Sequence, residues 1–557
     1  MSVLASRIRK GSYADSIVLM QLQSDLERLQ GVMRAGVVMG SVVNLDLLRS
    51  SELLDELAAD AGPEDLIIAV RAESAEAAAE ALSKVDELMQ RKRSTETGDF
   101  RPRTLAAAAK RVPDCRWVSI STPGRYAHAV AREALDLGCH VFLYSDNVPL
   151  DEEVELKQQA ASRQRLIMGP DCGSAMIDGI GFGFTNRVRR GPIGLVCASG
   201  TGLQAITTQI HQLGAGISHA IGTGGRDLQE DVGGVSARQG LELLARDDAT
   251  EVIVLASKPP DAAVRTTLLS SAMAIEKPVV VLFSGFAAPA PGLGNLRFAR
   301  SLTEAAMQAV SLLDRTEPSS KTRRQGNDGY LRGLFAGGTL AHEALQTAAP
   351  FLSPLYSNLS AEGVESLPTP TQSRGHTLLD LGADEYTVGR LHPMMDQQLR
   401  IERLRQEAGD PEVGLILLDV VLGLGAHPEP ASELAPVLTE IRSPEGPQIV
   451  AIVVGTDDDP QGLQSTVDQL SDAGATVYQT VTEAMDHAIT HSLPRLVRSL
   501  PSIDLNALER PDAVINVGLD SLYDDLVAQE IDVVQVDWRP PAGGNERLMS
   551  ILEKMKA

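Results

Sequence analysis

The stretch I-G-L-V-C-A-S-G-T-G-L-Q-A-I-T (193–207) decides the fold class, because an apolar strand pattern runs through Ser-Gly-Thr-Gly directly into a helix pattern. Strand-then-helix units with regular spacing continue on both sides of it, which is typical of parallel α/β sheets. Ligand sites in such sheets lie at the carboxyl ends of strands. The sequence therefore predicts an α/β protein with a functional loop at this junction.

Further apolar runs predict strands along the rest of the chain. They are V-M-R-A-G-V-V-M-G (32–40), D-L-I-I-A-V-R (65–71), W-V-S-I-S (117–121), H-V-F-L-Y (140–144), R-L-I-M-G (165–169), E-V-I-V-L-A (251–256), P-V-V-V-L-F (278–283), L-L-D-L-G (378–382), G-L-I-L-L-D-V-V (414–421), I-V-A-I-V-V-G (449–455) and A-T-V-Y (475–478). Two runs near the end, 513–518 and 533–538, could add edge strands to an existing sheet. Polar segments at 91–103 and 318–329 are interpreted as linkers.

The bulk composition restricts the class of protein. With 557 residues the chain is too long for one core. A formal net charge of -24 argues against nucleic acid and anionic membranes as partners, although an acidic surface is also a common aid to solubility. The four cysteines include no C-x-x-C pair, and neither a signal peptide nor an apolar run of ~20 residues is present. We expect a cytoplasmic protein that does not use a membrane.

The junction formed by Ser199, Gly200, Thr201 and Gly202 is a candidate anion site. Free backbone N–H groups and the helix dipole converge where a strand runs into a helix, and the two hydroxyls add donors. The alternative is an ordinary helix cap in which the glycines only permit tight packing.

Two more glycine-rich strand ends are candidates. The turn in L-L-D-V-V-L-G-L-G-A-H-P (417–428) contains Gly423, Leu424, Gly425 and Ala426, and His427 follows it. The remaining histidines, His392 among them, are scattered and are expected to be structural.

The third such strand end is I-G-T-G-G-R-D (221–227). It contains Gly224 and Gly225 beside Arg226. Arg226 could clamp a phosphate or carboxylate with two hydrogen bonds, or form a surface ion pair.

The order of these loops resembles succinyl-CoA synthetase. Residues 115–310 resemble its α subunit, through S-T-P-G-R-Y-A-H-A-V-A-R-E-A-L-D-L-G (121–138), S-D-N-V-P (145–149), G-P-D-C-G (169–173), G-P-I-G-L-V-C-A-S-G-T (191–201) and I-G-T-G-G-R-D (221–227). Residues 375–490 resemble the carboxyl-terminal domain of its β subunit. The resemblance implies that helix starts at Ser199–Thr201 and at Gly423–Ala426 face one phosphate. It also makes the loop with Asp171 and Cys172 ligand-facing, although Cys172 is expected to be a packed thiol, not a nucleophile.

The whole chain, including P-P-A-G-G-N (540–545), is similar to the FdrA family. The implied fold is an α/β fusion of a Rossmann-like CoA-binding-type domain and two flavodoxin-like ligase-type domains, with a small α+β domain at the amino end. The expected segments are 1–100 (α+β), 104–190 (Rossmann-like), 191–315 (synthetase α-like), 330–500 (synthetase β-like) and 510–557 (a β-rich extension).

Several parts of a working synthetase are absent. The region that resembles the phosphohistidine loop, F-S-G-F-A-A-P-A-P-G-L-G-N-L-R-F-A-R (283–300), contains no histidine, and Ser257, Lys258 and Pro259 stand where an orienting glutamate is expected. No glycine-rich nucleotide loop precedes residue 115, and the 313–370 segment is too short for an ATP-grasp module. These absences argue against ATP-driven acyl-CoA synthesis by this chain alone.

What remains suits a reaction whose energy arrives as an acyl phosphate such as carbamoyl phosphate. Lys258 or Arg226 would supply positive charge, although Lys258 could equally be a surface lysine. The FdrA resemblance implies a subunit of oxamate carbamoyltransferase that needs two further subunits. The alternatives are an acyl-CoA synthetase subunit and a non-catalytic scaffold. No cofactor is firmly expected; Mg²⁺ could accompany phosphate, and CoA binding is doubtful.

Overall fold

The computed structural model describes residues 2–10, 16–62, 65–91, 101–313, 329–492 and 501–540. The chain divides into two compact units, one made of residues 1–153 and 512–557 and the other of residues 154–511. Most of the two predicted linkers, and the stretch 541–545 used in the family resemblance, lie outside the described residues. No helix among the described residues is long and apolar enough to cross a membrane.

The amino-terminal domain is a three-stranded antiparallel sheet with helices on both faces. Its elements are β1 (Val3–Arg9), α1 (Ser16–Glu27), β2 (Val32–Met39), α2 (Val42–Ser50), α3 (Glu56–Ala59), β3 (Leu66–Ala72) and α4 (Ala75–Arg91), with strand order β1-β3-β2. The central strand β3 alternates its side chains between two apolar clusters, with Leu66 and Ile68 in one and Ile67 and Ala69 in the other. The predicted strands at 32–40 and 65–71 are confirmed.

The first unit also contains a parallel sheet that joins distant parts of the chain. Its elements are α5 (Leu105–Ala109), β4 (Trp117–Ile120), α6 (Gly124–Asp136), β5 (His140–Leu143), β22 (Ala513–Val517), α18 (Asp520–Val527) and β23 (Asp532–Val536), and its strands run in the order β23-β22-β4-β5. Residues 513–536 therefore form a β-α-β unit that extends the sheet of residues 117–143. The expected β-rich extension at 510–557 therefore contains a helix between its two strands and belongs to this sheet. Residues after 540 lie outside the described ones.

The second unit begins with an eight-stranded sheet in the order β13-β14-β12-β11-β9-β10-β7-β8. The chain reaches it through α7 (Leu150–Ser162) and β6 (Ile167–Met168). Its elements are β7 (Ser174–Ile177), β8 (Ile180–Gly183), β9 (Arg190–Cys197), α8 (Gly200–Gln212), β10 (Ile217–Gly222), α9 (Val235–Arg246), β11 (Val252–Ser257), α10 (Ala262–Met273), β12 (Val279–Phe283), β13 (Gly292–Leu293), β14 (Leu296–Phe298) and α11 (Leu302–Leu313). Because β7 pairs with β10, two strands that precede the expected boundary at 190/191 also join this sheet.

The second sheet of this unit has seven strands in the order β17-β16-β18-β15-β19-β20-β21, all paired in parallel. Its elements are β15 (Tyr330–Phe335), α12 (Gly338–Ala348), β16 (Leu355–Ser357), β17 (Glu365–Ser366), β18 (His376–Asp380), α13 (Asp384–Thr387), α14 (Gln398–Ala408), β19 (Val413–Val421), α15 (Pro430–Ile441), β20 (Gln448–Val454), α16 (Leu463–Asp472), β21 (Thr476–Tyr478) and α17 (Val481–Ser492). A short 3-10 helix, Leu505–Leu508, follows.

Both sheets of the second unit reverse their strand order at the first long parallel strand. After β9 the chain forms β10 on one side of that strand and later β11 on its other side. In the seven-stranded sheet, β18 and β19 likewise lie on opposite sides of β15. Such a reversal opens a crevice at the carboxyl ends of the strands, where ligands bind in open α/β sheets. The loops after β9 and β15 therefore occupy the two positions most suited to a site.

Candidate functional site

The loop after β9 ends in the start of α8, which has a side-chain cap. Ser199 is the N-cap of α8, and its Oγ accepts a hydrogen bond from Gly202 N at 3.2 Å. In the part of the chain that the structure describes, the N–H groups of Gly200 and Thr201 donate to no protein acceptor. Thr201 is exposed. This junction has the donors and the dipole of an anion site, with the capping hydroxyl already in place.

The neighbouring strand ends bring the two predicted cations to the same edge. Ala256 of β11 pairs with Cys197 of β9, so the exposed Lys258 follows the strand next to the helix start. Arg226, which is half-buried, lies in the loop after β10 on the other side. The loops predicted to carry Ser199, Arg226 and Lys258 are thus adjacent at one sheet edge.

The loop after β10 packs tightly against the G-P-D-C-G loop. A methyl group on Gly224, whose φ is +86°, would lie 2.1 Å from Pro170 O, and one on Gly222 would lie 2.5 Å from Cys172 Sγ. At Gly225 it would lie 3.4 Å from Oδ2 of the exposed Asp171. Close packing between the two loops therefore requires glycine at positions 222 and 224.

Cys172 is a buried thiol. Its Sγ donates to Ser174 O at 3.5 Å, and burial raises its pKa to about 12. A nucleophilic cysteine needs a pKa lowered by nearby positive charge. The geometry fits the interpretation of Cys172 as a packed thiol.

A buried ion pair that sequence reasoning missed supports the same loop. Lys157 Nζ lies 2.6 Å from Asp227 Oδ1 and donates to Thr223 O at 3.0 Å. Asp227 also accepts the N–H groups of Ser236 and Ala237 at the start of α9. Lys157 sits in the polar sequence of α7, where nothing in the spacing distinguishes it from a surface lysine.

The second predicted helix start is wrong in detail. α15 begins at Pro430, and the turn from Gly423 to Ala426 precedes it as a loop. Gln461 holds this loop, because its Oε1 accepts from Gly423 N at 3.1 Å and its Nε2 donates to Gly423 O at 3.0 Å. Leu424 at its tip is 95% exposed. The glycines bend the loop over the strand end, with Gly423 and Gly425 at φ +129° and +86°.

His427 holds its own loop. Its backbone N–H donates to Met394 O at 2.8 Å. In the ring, Nδ1 accepts from Glu429 N at 3.1 Å, and Nε2 lies 3.3 Å from Glu433 Oε1. Both ring nitrogens are therefore engaged by neighbouring residues. These contacts hold the loop, and the catalytic role of His427 stays a prediction.

The helix that does start directly from a strand end in this sheet is α12. Its sequence, A-G-G-T (336–339), matches A-S-G-T (198–201) residue for residue except at the second position. This repeated motif is the sequence signal for a second strand–helix junction, although Gly337 lacks the capping side chain that Ser199 supplies. Unlike the first junction, α12 starts next to acidic groups: the buried Asp419, paired with Arg400 at 2.9 Å, accepts from Ala336 N at 2.7 Å.

Three family models match separate parts of the chain. Residues 190–308 match the succinyl-CoA ligase like flavodoxin domain, and residues 334–490 match the CoA-ligase model. Residues 1–104 match "AllF, heavy metal-associated domain". The predicted α/β fold built from succinyl-CoA-ligase-like domains is confirmed.

Similar proteins cover different shares of the chain. Escherichia coli YahF, described as an uncharacterised protein, is 38% identical over 485 residues, which is 84% of this chain and 94% of YahF. The α subunit of Aquifex aeolicus ADP-forming succinate–CoA ligase is 27% identical over 179 residues, 31% of this chain and 57% of that subunit. The solved structure of Pyrococcus horikoshii PH0766 aligns with a TM-score of 0.28 and 14% identity over 69% of this chain and 85% of its own.

The residues present do not fit two of the groups that these family names suggest. Residues 1–104 contain neither cysteine nor histidine, so the domain lacks the thiolate and imidazole donors that soft metals require. Within the described residues 101–116, the chain forms α5 (Leu105–Ala109), capped by Thr104, and contains no glycine that could form a nucleotide-binding turn.

Proposed function

The chain belongs to the same family as Escherichia coli YahF. We propose that it is an FdrA-like subunit of an enzyme that transfers a carbamoyl or related acyl group to and from phosphate. The observation that carries the proposal is the start of α8, where the N–H groups of Gly200 and Thr201 are open at the strand-order reversal. The reaction we favour is that of an oxamate carbamoyltransferase. In the degradative direction, oxalurate and phosphate give oxamate and carbamoyl phosphate.

The chemistry follows from the groups at this edge. The two N–H groups and the helix dipole would hold phosphate, and the Ser199 hydroxyl, whose oxygen already accepts from Gly202 N, can donate its own proton. Phosphate oxygen would attack the carbamoyl carbon, the C–N bond to the oxamate nitrogen would break, and that nitrogen would take up a proton. Lys258 and Arg226 would offset the charge that collects on the phosphate and the oxyanion.

The histidines support a reaction without a phosphohistidine. Two histidines belong to this sheet and its helices: His211 lies in the last turn of α8, and His219 is buried on β10, where its Nδ1 accepts from Asp178 N at 3.1 Å. Within the described residues, neither is placed at the start of α8. An energy source that arrives as a ready acyl phosphate needs no such carrier. We also propose two further protein subunits, and Mg²⁺ as a companion of bound phosphate.

A second candidate is an acid–thiol ligase subunit that obtains its nucleotide module from another chain. It is favoured by the match to succinate–CoA ligase α subunits over the region that contains the α8 start. In this case the same helix start would hold the phosphate of an acyl phosphate formed elsewhere in the assembly.

One assay separates the two candidates. Phosphate release from carbamoyl phosphate is measured with and without oxamate, using the full chain alone and co-expressed with its chromosomal neighbours, and the same samples are tested with ATP, CoA and succinate. We expect oxamate-dependent release in the co-expressed sample and its loss in Ser199→Asp. ATP consumption that depends on CoA would establish the ligase instead. Inactivity in every assay would refute both.

A further inference from the structure

Two short helices of the amino-terminal domain share one layer over its sheet. Leu48 of α2 and Ala58 of α3 pack into the same apolar cluster as Ile67 and Ala69 of β3. The helices α1 and α4 pack on the opposite face of β3, in a separate cluster. The inward side chains of α2 and α3 therefore belong to the core of the domain, and this core does not depend on what their outward side carries.

The outward side of this layer is apolar. Val42 and Val43 at the start of α2, Leu47 in the same helix and Leu57 of α3 are each more than half exposed. Val43 and Leu47 are four residues apart, so they lie on one side of α2. Single exposed apolar side chains are common, but several exposed together mark a surface that another molecule covers. We call these four residues the α2–α3 face.

Acidic side chains surround the α2–α3 face. Residues 41–61 contain five carboxylates and one basic residue, Arg49, which is paired with Asp46. Glu56 and Asp60, on either side of Leu57, are exposed and form no ion pair within the described part of the chain. A surface of this charge repels nucleic acid and anionic lipid, and it attracts a protein surface that carries lysine or arginine.

A second copy of this chain is a poor match for the α2–α3 face. In a symmetric dimer the same surface meets itself, so Glu56 and Asp60 would approach the equivalent carboxylates of the other copy. Like charges across an interface are unfavourable, and the net charge of -24 on each chain adds to the repulsion. The charges therefore favour a different protein as the partner.

We propose that the α2–α3 face binds a different protein subunit, whose contact surface has an apolar centre and a rim of lysine or arginine. The apolar side chains would supply most of the binding energy, and the carboxylates would fix the orientation and speed association. The inference rests on the proposed function in one respect, since the partner is taken to be one of the two further subunits. It requires neither phosphate binding nor group transfer.

Titration of the full chain with the purified products of its chromosomal neighbours tests the proposal, and sedimentation velocity gives the dissociation constant. The double variant Leu47→Gln, Leu57→Gln retains good helix formers and should bind at least tenfold more weakly. Met20→Gln is the matched control, because Met20 is also more than half exposed but belongs to α1 on the opposite face of the sheet. Its affinity should equal that of the wild type. The double variant Glu56→Lys, Asp60→Lys should bind at least tenfold more weakly at low salt and lose less at high salt, where charges are screened.

Thermal unfolding checks that each variant folds, and either double variant suffices for the test. Binding by neither neighbour, or wild-type affinity in a folded double variant, would overturn the inference. A dimer of the chain that Leu47→Gln, Leu57→Gln disrupts would also overturn it, because a second copy would then cover the face. So would resistance of a monomeric Leu47→Cys variant to a thiol reagent, because another segment of this chain would then cover it.

The transfer assay on the same complexes separates this inference from the proposed function. A complex that forms through the α2–α3 face but transfers neither a carbamoyl nor an acyl group refutes the proposed chemistry alone. An active complex whose affinity none of these variants changes refutes this inference alone.

Discussion

Lys157 Nζ lies 2.6 Å from Asp227 Oδ1, and both side chains are completely buried. Through this pair one lysine connects α7 to the loop after β10, because it also donates to Thr223 O. Asp227 in turn accepts two N–H groups at the start of α9. The chain segment that contains Gly224, Gly225 and Arg226 is therefore anchored at both of its ends.

Removing one partner of this pair should be costly. Lys157→Met leaves the Asp227 charge buried without compensation, which costs about 3–5 kcal/mol in comparable pairs. We expect a clearly lower unfolding temperature and weaker phosphate binding, since the Arg226 loop loses its anchor. The matched control is Arg405→Met, which removes the exposed pair with Glu440 and should leave both measurements unchanged. Equal unfolding temperatures for Lys157→Met and the wild type would contradict the anchoring role.

Ser199 allows helix capping to be separated from anion binding. Ser199→Ala removes the cap of α8 and should cost about 1 kcal/mol of stability. Ser199→Asp retains a capping acceptor but places a carboxylate among the open N–H groups. We expect Ser199→Asp to be at least as stable as Ser199→Ala yet to bind inorganic phosphate at least tenfold more weakly than the wild type. Unchanged phosphate affinity in Ser199→Asp would show that the ligand binds elsewhere.

The buried thiols should be chemically inert in the folded chain. Burial raises the pKa of both Cys172 and Cys197 to about 12, so the reactive thiolate is scarce at pH 8. A thiol reagent should modify these two residues only after denaturant is added. Cys172→Ala should retain full transfer activity and should not alter the activity profile between pH 6 and 9. Rapid labelling of Cys172 in the native chain, or loss of activity in a folded Cys172→Ala variant, would revive a nucleophilic role.

The sequence predicted the strands and the first junction because both depend on local patterns. Apolar runs such as 251–256 and 278–283 became β11 and β12, and Ser199 became a helix cap, since strand formation and capping are set by neighbouring residues. The pairing of β7 with β10 was missed, because it depends on partners distant in sequence. The return of β22 to β4 could be suggested only as an edge addition.

In the candidate site, too, the sequence predicts features set by neighbouring residues and misses contacts between residues distant in sequence. The sequence predicts a helix start at Gly423–Ala426, but glycines after a strand are common to loops and helix starts alike, and α15 begins only at Pro430. The sequence gives His392 no role beyond that of a scattered structural histidine, since nothing in it places this residue near Asp380. Side-chain pairs such as these arise from tertiary packing, and no spacing rule contains them.

Asp380 should lower stability at neutral pH. Burial raises the pKa of its carboxyl above the ordinary 3.8, so the unfolded chain releases this proton first as the pH rises. The stabilising contribution of the protonated form is complete below the unfolded pKa and is lost as the pH rises through the folded pKa. Asp380→Asn, which does not titrate and can still accept from Gly382 N, should therefore gain in unfolding temperature relative to the wild type as the pH is raised from 3.5 to 7. A difference that stays constant or falls over this range would contradict the prediction.

The amino-terminal domain should not bind soft metals, despite its match to a heavy metal-associated family model. Its residues 1–104 contain no cysteine or histidine; the first cysteine is Cys115 and the first histidine is His128. Thioethers such as Met20 and Met33 remain, but without thiolate or imidazole they make a weak site.

We expect titration of the full chain with Cu(I) or Zn²⁺, in competition with a chelator, to leave hydrogen exchange of residues 2–91 unchanged. Cys115→Ala controls for metal bound at the half-buried Cys115, which precedes β4 of the following sheet, because any metal lost in that variant lay outside the domain. Stoichiometric metal that protects residues 2–91 from exchange, and persists in Cys115→Ala, would show that acidic and thioether groups alone form a site. If no such metal binds, the domain has the fold of its family model but lacks the metal binding for which that model is named.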